Sequence, residues 1–153
     1  MYPKVIRFSS PNESTNNKIN FVILEALITL FFLIYFIELS YKGTRYHGWQ
    51  IQPNSVSVQE TIEKCLSTIL KEKISIVGAG RTDTGVHASY FCAHFDCSNS
   101  ISDNLDFIYK SNSFLPSDIS IKNLHKVKDD FHARFDALSR TYQYKLNTSK
   151  NPF

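Results

Sequence analysis

The chain has 153 residues, 42% of them hydrophobic and 20% charged, with a formal net charge of +3. These values fit a single folded domain with a modest core and exclude a chain disordered throughout. A charge so near neutral permits a nucleic-acid partner without arguing for one, so any basic surface has to be gathered on one face.

Residues 1–20 are polar, rich in Ser and Asn, and lack a period, which reads as a disordered tail. Then comes the apolar run FVILEALITLFFLIYFI, Phe21 to Ile37. It is short against the roughly 20 residues a membrane span needs, and Glu25 lies inside it. Its late start and the lack of a small-residue cleavage site argue against a signal peptide. The expectation is a chain with an N-terminal extension over residues 1–34, with a weak membrane anchor as the alternative.

From residue 35 the pattern becomes regular. YFIELSYKG (35–43) alternates and predicts a strand ending at Gly43. TRYHGWQIQPNS is a loop. Ser57 and Glu60 have the spacing of a capping box, and Val58, Ile62, Cys65, Leu66, Ile69 and Leu70 follow at helical spacing. ISIVG (74–78) and SYFCAHFDC (89–97) read as strands. SDNLDFIYKSNSFL (102–115) predicts a helix capped by Ser102 and stopped by Pro116. DISIKNLHKV (118–127) alternates as a strand. DDFHARFDA is an ordered connection or the start of a short strand, and SRTYQYKLNT (139–148) alternates again. The order β, α, β, β, α, β, β predicts an α+β fold. Its sheet is antiparallel or mixed with helices on one face, in the ferredoxin-like arrangement that RNA-recognition modules also use.

The cysteines Cys65, Cys92 and Cys97 are odd in number and have no C-x-x-C spacing. That argues against a disulfide framework or a cysteine-based zinc site and suits a reducing cytoplasm. Cys92 and His94 share a strand face, which reads as packing. His47, His94, His125 and His132 show no metal spacing.

The chemistry-bearing stretch is GAGRTDTGVHA, Gly78 to Ala88. It is neither a dinucleotide fingerprint, since a third glycine and a following helix are missing, nor a phosphate loop. No serine or cysteine nucleophile accompanies His87 in a triad pattern. Two readings of Asp83 stand at this point. It is a turn aspartate beside a positive-φ Gly85, or it is a carboxylate held ionised and oriented by Arg81, suited to a nucleophile or charge stabiliser.

GAGRTDTGVHA closely resembles the motif of the tRNA pseudouridine synthase A family. YKGTRYHGWQIQP resembles that family's first hairpin, SVQETIEKCLSTIL its first helix, and LPSDISI and DDFHARFDALSRTYQYKL its later segments. The resemblance runs in order over residues 35–147, and it implies an isomerase that converts uridine to pseudouridine in the anticodon stem-loop of tRNA, without redox cofactor or metal.

The resemblance further implies that Asp83 is catalytic and that Arg81 orients it and helps hold the flipped nucleotide. Tyr142 matches the tyrosine that stacks on the base, against the alternative of a core aromatic. His87, Arg134 and Arg140 are candidates for phosphate contacts, against surface or structural roles, and Trp49 is expected to pack. Thr84 stands where alanine is usual, Ser89-Tyr90-Phe91 replaces a stretch that often carries Gly-Gln, and Thr141 replaces a second basic residue. The resemblance also implies that residues 35–153 form the N-terminal part of a catalytic domain, with a homodimer as the complete enzyme. The chain on its own is expected to be inactive, because the second wall of the cleft is missing. The alternatives are a non-catalytic RNA-binding fragment of the family or a membrane-tethered interaction protein.

Overall fold

The computed structural model describes residues 33–150. The polar tail and the apolar stretch up to Phe32 lie outside the described residues. Among the described residues no helix is long and apolar enough to cross a membrane.

The first strand, β1 (Leu33–Tyr41), begins two residues before the expected boundary. Tyr35 to Ile37, the end of the apolar run, belong to this strand. Tyr35, Ile37, Leu39 and Tyr41 are buried, while the residues between them are only partly so. A 3-10 turn over Gly43–Arg45 follows. The first helix, α1 (Val58–Leu70), starts at Ser57, whose hydroxyl accepts from the Glu60 amide at 3.1 Å, as the sequence predicts. It buries Val58, Ile62, Cys65 and Leu66.

Next come β2 (Ile76–Gly78), β3 (Ala88–Cys97), α2 (Asn104–Phe114) and β4 (Ile119–Lys126). The cap of α2 is Asp103 and not Ser102: its carboxylate accepts from the Asp106 amide at 3.0 Å. An ionised acceptor at a helix N-terminus is favoured over a hydroxyl by the helix dipole.

The sheet order is β2-β3-β1-β4 with every pair antiparallel, the βαββαβ ferredoxin-like arrangement. This settles the antiparallel-or-mixed expectation. Tyr35 stacks on Phe95, and Phe95 on Phe107 of α2, so the core lies between one sheet face and the two helices. On the other face Phe36 stacks on His94 and meets Phe131 edge-on.

Of the two readings of DDFHARFDA the ordered connection holds, whereas the last expected strand is absent. DDFHARFDA forms turns and no strand, with the Ala133 amide donating to His94 Nδ1 at 3.0 Å. Residues 139–148 form no strand either, and Tyr144 and Leu146 are 83% and 92% exposed. A strand exists only by pairing, and residues 139–148 pair with neither sheet edge, where helix side chains take up the backbone of one residue each. Glu63 Oε1 accepts from the Ile76 amide and Gln59 Nε2 donates to the Ile76 carbonyl. At the opposite edge Asn112 accepts from the Ile121 amide and donates to its carbonyl, both at 2.8 Å.

Candidate active site

The loop from Ala79 to His87 joins β2 to β3 and carries Asp83. Gly85 has φ of 79°, as the turn reading expects, and the Val86 amide closes the turn on the Asp83 carbonyl at 3.2 Å. Asp83, Arg81 and His87 are all exposed. An exposed carboxylate on a short, closed turn is open to a macromolecular substrate.

The loop is held from below by residues 41–49. The Trp49 amide donates to the Thr82 carbonyl at 3.1 Å, and the Gly85 amide donates to the Tyr46 carbonyl at 3.3 Å. Tyr41 Oη and Thr82 Oγ1 share a hydrogen bond of 2.9 Å. Gly48 permits this approach: at φ of 88° it meets Thr82 so closely that a Cβ would overlap the Thr82 carbonyl oxygen. Trp49 is buried, its indole against Phe91 at 4.3 Å, so it packs as expected.

The expected site residues fall into separate arrangements. Among the described residues no ion pair joins Arg81 to Asp83. Arg81 instead lines a cleft of about 160 Å³ at the outer edge of β2, together with Arg134, Trp49, Gln59 and Val77. His87 Nδ1 accepts from the Gly43 amide at 2.9 Å, which leaves Nε2 for an outside partner. Arg140 clamps the two segments: Nε and Nη2 donate to the Ala79 carbonyl at 2.8 and 2.6 Å, and Nη2 also donates to the Arg134 carbonyl at 2.8 Å. That fork suits a guanidinium and occupies it with backbone.

Tyr142, two residues further on, is 61% exposed. Burial pushes the Tyr41 phenol above its ordinary range, the Thr82 bond opposes the rise, and nearby Tyr142 adds to it. Tyr41 and Thr82 escaped the sequence reading because a core tyrosine on an alternating strand carries no sign of what its hydroxyl meets. Among the described residues no group of three or more His, Cys, Asp or Glu is placed to hold a metal ion.

A sequence profile of the tRNA pseudouridine synthase family matches residues 39–136. The chain is 55% identical over 119 residues to the tRNA pseudouridine synthase A of Bacteroides thetaiotaomicron, covering 78% of this chain and 44% of that protein. It is 53% identical to the Bacteroides fragilis protein of the same name, covering 78% and 47%. To that of Porphyromonas gingivalis it is 50% identical, covering 78% and 48%. The chain spans about half the length of the curated relatives it matches. With its βαββαβ sheet and the loop that presents Asp83, the chain belongs to the tRNA pseudouridine synthase family.

Proposed function

We propose that the chain acts in the isomerisation of uridine to pseudouridine in the anticodon stem-loop of tRNA, with Asp83 as its catalytic carboxylate. The reaction breaks the glycosidic carbon–nitrogen bond and joins the same sugar carbon to C5 of the same ring. The C5 proton leaves and N1 ends with a proton, so no oxidant, reductant or metal enters the balance. The base has to leave the stack first, at roughly a few kcal/mol.

The observation that carries the reading is an exposed Asp83 on a loop anchored at several backbone points, in a chain of this family. Tyr142 offers an exposed ring for base stacking, worth about 1–3 kcal/mol. Arg81 and Arg134 share a cleft that suits the phosphates beside the target, and His87 Nε2 is a further donor. A homodimer and a cytoplasmic setting belong to the same proposal.

The test grafts the matched segment into the Bacteroides thetaiotaomicron relative in place of its counterpart, with Asp83 or with Asp83→Asn. Pseudouridine in anticodon stem-loop RNA should form with the first and fall at least about 1000-fold with the second, the scale of losing a reacting group. Equal turnover by both would remove Asp83 from the chemistry.

A further inference from the structure

The inference rests on that reading of Asp83. No side chain among the described residues bonds its carboxylate, so its direction depends on the backbone of the loop. The residue immediately before it is held at two atoms, its carbonyl oxygen and its side-chain hydroxyl. The Thr82 carbonyl accepts from the Trp49 amide at 3.1 Å, and the Thr82 hydroxyl meets Tyr41 Oη at 2.9 Å. Tyr41 itself cannot swing. It ends β1, is 4% exposed, pairs in register with Ala88 and Ile119, and its ring packs against both Trp49 at 6.1 Å and Phe91 at 5.7 Å.

We infer that Tyr41 is a positioning residue for Asp83, acting through the Thr82 hydroxyl to hold the catalytic loop against the central strand of the sheet. The phenol is poorly solvated, so the hydroxyl of Thr82 is the partner it keeps. Burial raises the Tyr41 pKa and the Thr82 bond opposes that rise, so the inference stands on the geometry of the bond. A tyrosine with only a packing role would not need its oxygen.

Two variants isolate the bond. Tyr41→Phe keeps the ring and removes the hydroxyl, and Thr82→Val keeps the shape and removes the partner. Amide hydrogen exchange on the full 153-residue chain is the first readout. The amides of Trp49, Gly85 and Val86 should exchange about tenfold faster in either variant, as expected for one lost hydrogen bond, with α2 unchanged. The double variant should be no faster than the singles, because both remove the same bond. In the graft described above, kcat should fall about tenfold with KM unchanged. Unaltered exchange at those amides in Tyr41→Phe, or additive effects in the double variant, would overturn the inference. The exchange result stands apart from turnover: an inactive parent with a loosened loop would count against the proposed reaction only, and an active parent with an unchanged loop against Tyr41 only.

Discussion

Asp118 illustrates how much one side chain can organise near the site. Its carboxylate accepts from Arg45 Nε at 2.7 Å and from the Tyr46 hydroxyl at 2.8 Å, and its carbonyl accepts from the Lys42 amide. Residues 42–46 are thereby tied to the start of β4, and the Tyr46 carbonyl in turn holds Gly85. Arg45 first, and Tyr46 after it, hold the Asp118 carboxyl below its ordinary value of 3.8. A lowered folded value means that the stabilisation is complete above 3.8 and disappears as pH falls through the lower value. Asp118→Asn should cost about 1–2 kcal/mol at pH 7, the Arg45 share being small because that side chain is mostly exposed. The gap between variant and parent should narrow at acid pH, as followed by urea denaturation. A gap that stays constant down to acid pH would show that the charge of Asp118 is immaterial. Asp83 could be picked out from its loop motif, whereas nothing around Asp118 in the chain hints at Arg45, which lies far from it in sequence.

At the scale of elements, propensity and pairing diverge in an instructive way. β1 and residues 139–148 both alternate, yet only β1 is a strand, because it has a partner on each side. The turns at 131–137 are docked on the open sheet face by His94. Its Nδ1 accepts from the Ala133 amide, and its ring stacks on Phe36 and meets His132 at 4.7 Å. Burial, with His132 second, holds the His94 pKa below its ordinary 6.5, against the pull of Asp96 and Asp136. Its contribution is therefore present above pH 6.5 and is lost as pH falls through the folded value. Protonation at Nδ1 also removes the acceptor. Below that value the Ala133 amide should lose hydrogen-exchange protection before β1 does. Protection of Ala133 that tracks β1 at every pH would show that His94 is not the latch.

For the molecule as a whole, the sheet edges matter most. Gln59 and Glu63 of α1 occupy the backbone of Ile76, and Asn112 of α2 occupies that of Ile121, so each helix takes up edge backbone at that residue. Asn104 adds a bond to the Leu124 carbonyl on the β4 side. Asn112→Ala frees one amide and one carbonyl, which should lower stability by about 1–3 kcal/mol. It also opens β4 to pairing with another chain. Sedimentation velocity should show concentration-dependent association in the variant beyond that of the parent. Unchanged association would mean that α2 covers the edge without Asn112.

The chain by itself determined the α+β order, α1 and its Ser57 cap, the strands of the ferredoxin-like sheet, and the loop that bears Asp83. These are local: they rest on periodicity, capping chemistry and a short motif that any stretch carries within itself. Only the tertiary structure decided that 139–148 stays unpaired, that Arg140 spends its fork on the Ala79 carbonyl, and that Arg81 turns to a cleft shared with Arg134. The same holds for the Tyr41 hydroxyl, which meets a threonine 41 residues away. Partners so distant in sequence are chosen by the register of the sheet and by which backbone groups remain unsatisfied, and neither quantity exists before the strands pair.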